Sequence, residues 1–320
     1  TIGIKVPWTL NSEENWNMTH RMAGKVYVVA GVISIIIALL NNVLSDEVTI
    51  IIKTLDRCDC LINLLDSIFK KYPKIRVLVG DDSEISSKEK ILSKFNQYNL
   101  QYYNLEKDCG LSAGRNFLLN KIQTKYFVLA DDDFVFDQKT NLERAVQILE
   151  EKKLDIIGGY IRNYKIVKSN WDKLFVLIQK ILKYELPTNY IGTLKMEGNT
   201  FYADYTVHSF PEFAETDLVL NFFLAKTERI KEIHGWDPKL KLQEHTEFFY
   251  RAKLNNLKVG FTNELSVQHH PVKLKKYSEK RNRNYTNVFM DKYAIDKIVA
   301  NYDDNRGQVI TLRENLEGKN

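Results

Sequence analysis

An α/β fold built on a single, mostly parallel, twisted sheet flanked by helices is the fold class this sequence predicts, and three observations predict it. Apolar runs of strand length alternate with stretches whose apolar residues recur at helical spacing. The runs are nearly free of charge along their length, as strands buried on both faces are. Three of them end in polar or acidic residues, Thr54 to Arg57, Asp81-Asp82 and Asp131 to Asp133, which places those side chains on one edge of a parallel sheet, where ligands of such folds bind.

The elements follow in order. Val48 to Thr54 is a first buried strand, and Leu61, Leu64, Leu65 and Ile68 mark a helix over Cys60 to Lys71. Ile75 to Ser83 is a second strand, and a helix over about 88–98 leads to a third at Leu100 to Leu105. Gly110-Leu-Ser-Ala-Gly-Arg-Asn-Phe117 opens a helix that returns the chain to Tyr126-Phe-Val-Leu-Ala-Asp-Asp-Asp-Phe-Val-Phe136. That stretch is the centre of the chain: an apolar run breaks into three carboxylates and turns apolar again. Adjacent carboxylates repel unless a cation lies between them, so Asp131, Asp132 and Asp133 point to a hard divalent metal shared with phosphate oxygens. Further on, Asp155 to Asn163 and Leu218 to Ala225 read as strands, Trp171 to Tyr184 and Thr227 to Ile233 as helices, and Asp204 to Glu215 as loop or hairpin. Gly235-Trp-Asp-Pro238 is a turn before a helix over Glu244 to Leu254, and Val259 to Thr262 and Leu265 to Pro271 form the last strand region.

Composition bounds the function. The 320 residues suffice for one large domain with extras, and 46 Lys+Arg against 41 Asp+Glu leave a net charge of +5, too mild to argue for nucleic acid. Three cysteines without paired spacing, Cys58, Cys60 and Cys109, indicate neither a disulfide framework nor structural zinc. A nicotinamide dehydrogenase would need a Gly-x-Gly-x-x-Gly turn after the first strand, where Thr54-Leu-Asp-Arg57 stands. An aspartyl phosphatase would carry its nucleophile at the end of the first strand rather than a later one.

Three segments are expected: 1–45 as a membrane anchor, 46–275 as the catalytic domain, and 276–320 as a basic, helical extension. The anchor rests on the uncharged stretch Val26 to Leu40, within a helix over about 23–44, which is near the lower limit for crossing a bilayer. Arg21 and Lys25 before it favour a catalytic domain outside, and Lys53 and Arg57 soon after weaken that bias. The unpaired cysteines, with the bacterial look of the anchor, favour a single-pass protein whose catalytic domain faces the cytoplasm, with a lumenal or extracellular face as the alternative. The preceding Val6 to Gly24 resembles the segment that leads into a membrane helix of the SdpI-type bacterial immunity proteins. Lys273, Lys275, Lys276, Lys280, Arg281 and Arg283 form a basic stretch suited to a membrane surface or to phosphate.

The strand end at Thr54 to Arg57, Val79-Gly-Asp-Asp-Ser83, Gly110-Leu-Ser-Ala-Gly-Arg-Asn116, Asp131 to Asp133, and Gly235-Trp-Asp-Pro with Glu244-His-Thr-Glu-Phe-Phe249 together resemble a family-2-type glycosyltransferase of the GT-A fold. Val219 to Lys226 and Glu244 to Phe249 are more similar to the β-1,4-N-acetylgalactosaminyltransferases that act on gangliosides. The resemblance implies a UDP-sugar donor, Mn²⁺ or Mg²⁺ as cofactor, and a glycan or glycolipid acceptor. It implies that Asp131 and Asp133 hold the metal, with His269 or His270 completing its site, and that Asp132 bonds ribose or sugar. Asp81 and Asp82 would meet the base, Thr54 and Arg57 would line the base and ribose pocket, and Arg115 would contact phosphate or sugar. An inverting transferase also needs a general base. The family carries it in a Glu-Asp pair at this helix start; here the pair reads Glu244-His245, so Glu244, His245 and Glu247 are the candidates. The rival reading is a membrane-tethered nucleotide-sugar or glycan binder that kept the fold without turnover.

Overall fold

The structure is a computed structural model and describes residues 12–163, 189–207, 210–272, 284–304 and 307–313, the side chains of 33–43 excepted. The chain forms two compact units, Thr1–Ser45 and Asp46–Asn320. Helix α1 (Glu13–Glu47) begins at Ser12, whose Oγ accepts from the backbone N of Asn15 at 3.2 Å, an ordinary N-cap. Its apolar side chains Val26, Tyr27, Val28 and Val29 are each more than half exposed. Among the described residues no helix is long and apolar enough to cross a membrane, so the expected span over 23–44 is not shown.

In the second unit, β1 (Val48–Thr54) lies at the heart of a nine-stranded sheet because Ile50, Ile51 and Ile52 find cover on both faces, at 0% exposure. Burial of each such side chain contributes about 2 kcal/mol, which offsets the placing of Lys53 within the same strand. Helix α2 (Cys58–Lys71) buries Leu61, Leu64, Leu65, Ile68 and Phe69. Next come β2 (Arg76–Asp81), α3 (Lys88–Lys94), β3 (Leu100–Asn104), α4 (Gly110–Leu119), β4 (Tyr126–Asp131) and β5 (Phe134–Val135). Strands β3, β2, β1 and β4 are parallel neighbours, with Thr54 beside Asp81 and Lys53 beside Asp131. That register brings the three acidic or polar strand ends to one edge.

Beyond β4 the sheet departs from expectation. After α5 (Leu142–Glu151), capped by the Asn141 side chain, and β6 (Ile156–Asn163), the chain later returns as β10 (Phe223–Lys226). Strand β10 runs antiparallel between β4 and β6. The last long strand, β11 (Val259–His269), is parallel to β6 and antiparallel to β5 and β9 (Phe213–Thr216). The sheet is therefore mixed, not mostly parallel, because short returning strands fill positions that crossover helices would otherwise serve.

The sheet is also not single. Strands β7 (Ile191–Glu197) and β8 (Thr200–Thr206) form a hairpin, and β12 (Lys297–Tyr302) and β13 (Gln308–Leu312) complete a second sheet of order β13-β12-β8-β7. In place of a helical extension over 276–320, the described residues thus give one short helix, α8 (Thr286–Lys292), and two strands. Helices α6 (Thr227–Glu232) and α7 (Glu244–Leu254) stand where periodicity puts them. The helix expected over Trp171 to Tyr184 and the basic stretch from Lys273 to Arg283 lie outside the described residues.

Candidate active site

The carboxyl edge of β1, β2 and β4 gathers five acidic side chains and three cations in a small space. Arg57, just past β1, donates through its Nη1 to Asp133 Oδ2 at 2.6 Å and through Nε to Asp132 Oδ2 at 3.2 Å, with its second Nη on Asp132 Oδ1. Thr54 Oγ1 donates to Asp132 Oδ2 at 2.6 Å. Asp132 is fully buried and Asp133 nearly so. Burial pushes Asp132 above the usual carboxylate range, against the opposing charge of Arg57. Burial acts the same way on Asp133, but hydrogen bonds and charge from His269 and Arg57 outweigh it and hold Asp133 below that range. Thr54 and Arg57, expected to line the base and ribose pocket, both reach the aspartates.

Asp82 is paired with Lys53 Nζ and accepts from the backbone N of Gly110 at 3.2 Å. Gly110 has φ +90°, and a Cβ there would stand 2.8 Å from Lys241 Cβ, so this cradle admits only glycine. Asp81 accepts from Tyr102 OH at 2.6 Å and from Ser83 N at 3.0 Å, with Ser83 Oγ on the same oxygen. Both carboxylates, expected to meet the base, are 3% and 1% exposed and have internal partners. Their observed work is to shape the turn after β2 and to seat the start of α4.

Helix α4 delivers Arg115, 1% exposed, to the centre of the edge. One Nη reaches Asp131 Oδ1 at 3.3 Å, the other is paired with Glu244 Oε1, and the guanidinium lies 5.6 Å over the Trp236 ring. Arg115 Nε is buried without a hydrogen-bond partner among the described residues. Trp236 is placed by Asn116, whose Nδ2 donates to its carbonyl at 2.6 Å while Oδ1 accepts from its N at 2.8 Å. One salt-bridged chain thus runs from the end of β4 through Arg115 to the first turn of α7.

The three base candidates on α7 separate sharply. Glu244, 2% exposed, belongs to that chain. His245 Nδ1 lies 2.7 Å from Asn221 Oδ1; an amide oxygen only accepts, so Nδ1 carries the hydrogen and Nε2 keeps its lone pair. That Nε2 is buried without a partner among the described residues. Burial, with the Arg115 charge second, brings the His245 pKa down to about 3. Glu247 does not join the edge. At 0% exposure it accepts from Arg251 Nε at 2.9 Å, Lys292 Nζ at 2.8 Å and Tyr293 OH at 2.9 Å. Its carboxylate is filled by donors from α7 itself and from the segment that carries α8.

Of the four expected metal ligands, two come together. His269 Nδ1 lies 2.6 Å from Asn163 Oδ1, and its Nε2 lies 3.4 Å from Asp133 Oδ2. The two atoms can share a proton, as an ion pair does, or a divalent ion, for which a carboxylate oxygen and an imidazole nitrogen are suitable ligands. Asp131 turns instead to Arg115. His270 lends its backbone N to the Asp133 carbonyl at 3.0 Å, and its Nε2 lies 3.0 Å from Gln268 Oε1. Among the described residues no group of three or more His, Cys, Asp or Glu is placed to hold a metal. The ion's other positions would have to come from a ligand. A cavity of about 450 Å³ opens beside Asp133 and His270, with Cys60 on its wall; burial, with the Asp132 charge second, raises that thiol to about 11, so it is inert.

Sequence reasoning missed Lys53, Asn163, Asn221 and the Lys292–Tyr293 pair. A lysine inside an apolar strand was a visible signal for Lys53. Glu247 and Arg251 at i, i+4 were a signal that Glu247 is a structural acid. For Lys292, forty-five residues away from Glu247, there was none.

Comparison with known proteins adds the following. The profile described as Glycosyl transferase family 2 matches residues 49–210, and that of the SdpI/YfhL protein family matches residues 1–55. The chain is 34% identical over 226 residues to human beta-1,4 N-acetylgalactosaminyltransferase 1, covering 71% of this chain and 39% of that protein. It is 36% identical over 222 residues to mouse beta-1,4 N-acetylgalactosaminyltransferase 2, covering 69% and 39%. The chain thus spans about two fifths of the length of these relatives. Among solved structures, S. aureus TarS superposes with a TM-score of 0.50 at 17% identity over 78% of this chain and 42% of that one. GalNAc-T7, solved with UDP, GalNAc and Mn²⁺, gives 0.50 at 14% identity over 70% and 44%. At such identities the structural likeness establishes the GT-A fold alone.

Proposed function

We propose, since the chain belongs to glycosyl transferase family 2, that residues 46–320 transfer a sugar, GalNAc foremost, from a UDP-sugar to a hydroxyl of a glycan or lipid-linked acceptor with inversion. The observation that carries this reading is the chain Asp131–Arg115–Glu244, which sets a carboxylate on α7 against the acidic end of β4. GalNAc is suggested by the similarity to the two N-acetylgalactosaminyltransferases.

Asp133 and His269 would hold Mn²⁺ or Mg²⁺, with Asn163 fixing the imidazole tautomer. When bound, such an ion offsets the charge gathering on the departing diphosphate. Arg57 holds Asp132 and Asp133 together and opposes the effect of burial on both, and Arg115 offers a second cation toward the leaving group. The acceptor oxygen attacks the anomeric carbon, the bond from that carbon to the diphosphate oxygen breaks, and UDP leaves with the electron pair. The acceptor's proton goes to Glu244, whose carboxylate Arg115 holds ready. His245, neutral at physiological pH, offers its Nε2 as a hydrogen-bond acceptor and not as a titrating base.

The N-terminal unit would attach the enzyme to a bilayer, in keeping with the exposed Val26 to Val29 and the SdpI-type match, with the catalytic domain facing the cytoplasm. Flotation of the whole chain with liposomes tests this: recovery in the dense fraction would sink it. The transferase reading is tested by incubating the protein and Mn²⁺ with tritiated UDP-GalNAc and a panel of β-galactosides. Labelled disaccharide, absent with Glu244→Gln, is expected; no transfer with this or other UDP-sugars would overturn the reading. A second reading, a nucleotide-sugar binder without turnover, is favoured by one observation, the depth at which Glu244 is buried. UDP binding with neither transfer nor hydrolysis would select it.

A further inference from the structure

Gln243, the residue immediately before Glu244, sits in the left-handed region with φ +61° and ψ 22°. A glutamine adopts that conformation only where its surroundings hold it there, since its Cβ crowds the backbone. Such outliers concentrate where a neighbouring side chain must be aimed. The surroundings here come from far along the chain. Gln243 Oε1 accepts from the backbone N of Tyr285 at 2.7 Å and from Thr286 Oγ1 at 3.4 Å. These two residues start α8, and α8 is fastened in turn: Lys292 Nζ reaches Asp237 Oδ2 at 2.6 Å and Glu247 Oε1 at 2.8 Å. Tyr293 OH meets Glu247 at 2.9 Å, and Arg313 Nη2 donates to the Ile295 and Met290 carbonyls at 2.6 Å and 2.9 Å.

The segment from Tyr285 to Tyr293 therefore grips α7 at two points, its entry residue Gln243 and its first-turn acid Glu247. Glu244 lies between them with its carboxylate on Arg115. We propose that Gln243 is a positioning residue, held in its left-handed turn by the Tyr285–Thr286 start of α8, and that this grip aims Glu244 at the acceptor hydroxyl. The proposal rests on the transferase reading above, in which Glu244 takes the proton. It assigns a catalytic purpose to a segment that lies outside residues 49–210, the part matched by the family. It also gives the buried Glu247 cluster a role: the cluster fixes the strap that fixes the base.

The test uses the whole chain and three variants. Gln243→Gly keeps the backbone conformation at ease but removes the side-chain acceptor. Gln243→Glu keeps an oxygen for the Tyr285 N–H. Tyr285→Pro removes that N–H donor from the other side. Each is measured for amide hydrogen exchange across Glu244 to Phe249, for UDP binding with Mn²⁺, and for kcat and donor KM of transfer from UDP-GalNAc.

Gln243→Gly and Tyr285→Pro are expected to speed exchange in the first turn of α7 and to lower kcat about tenfold to a hundredfold, as small misplacements of a reacting group do. Donor KM and UDP binding should stay as in the parent, and Gln243→Glu should restore most of kcat. Unchanged exchange in Gln243→Gly would overturn the grip, whatever the activity. Faster exchange with unchanged kcat would overturn the positioning role and leave the contact merely structural. UDP binding without transfer by the parent chain would defeat the transferase reading and the positioning role with it, while the exchange data would still report on the grip.

Discussion

Two buried ionic clusters lie a few residues apart on α7, and they are built to opposite ends. Around Glu247 one carboxylate at 0% exposure meets Arg251, Lys292 and Tyr293, and its cations have further partners in Asp237 and in the carbonyls of Ile233 and Gly235. Every charge there is answered within the fold. At the sheet edge, Asp131, Asp132, Asp133 and Glu244 share Arg57 and Arg115, Asp131 is 32% exposed, and Asp133 Oδ2 lies 3.4 Å from His269 Nε2. The edge holds more negative charge than its own cations satisfy. A closed cluster stabilises; an open one is prepared for a ligand that brings the missing positive charge.

The comparison predicts its own failures. The largest effect is expected at the closed cluster: Glu247→Leu strands Arg251 and Lys292 and should lower the unfolding free energy by about 3 kcal/mol, read by urea denaturation. A loss under about 1 kcal/mol would show that the cluster behaves like a surface pair. At the open edge, Arg115→Lys keeps the charge but loses the fork that joins Asp131 to Glu244. It should slow transfer about a hundredfold while costing little stability; a rate equal to the parent's would deny the link its role. Asn163→Ala frees the His269 tautomer and should weaken metal-dependent UDP binding about tenfold to a hundredfold by calorimetry.

The smallest effect is a matter of pH. His245 titrates near 6.5 when unfolded but is held down to about 3 in the fold, by burial first and the Arg115 charge second. As pH falls below 6.5 the unfolded chain takes up a proton that the folded chain refuses, so stability falls. His245→Phe should lose less stability than the parent between pH 6.5 and 5, by about 1 kcal/mol per pH unit. Parallel stability curves for the two proteins over that window would contradict the buried neutral imidazole.

How far the sequence foretold this depends on how local each interaction is. Strands β1, β2 and β4 are continuous apolar runs with acidic ends, so both their existence and their shared edge could be read directly. Helix α7 was read to the residue, because the Gly-Trp-Asp-Pro turn and its apolar spacing announce it. The direction of β10 could not be read, since three apolar residues and a lysine carry no signal for an antiparallel partner. The second sheet was hidden for a similar reason: Lys297–Tyr302 is half-exposed and mixed in character, and its parallel partner β8 lies about a hundred residues earlier.

Within the site, residue types were legible and pairings were not. Three aspartates after an apolar strand foretold an acidic edge, yet nothing in the sequence said that Arg57 would cap two of them or that Arg115 would take the third. Glu244 and Glu247 stand three residues apart on one helix and look interchangeable as bases. Only the fold separates them, by sending one to Arg115 and the other to Lys292 and Tyr293.

The central claim is that the edge is open to a nucleoside diphosphate carried with a divalent ion, and that the Glu247 cluster is not part of it. Calorimetric titration of residues 46–320 with UDP, with and without Mn²⁺, on the parent, Asp133→Ala and Glu247→Gln tests it most directly. The account predicts binding that needs Mn²⁺, is lost in Asp133→Ala and survives in folded Glu247→Gln. UDP binding indifferent to both Mn²⁺ and Asp133, or no binding by the parent at all, would contradict it.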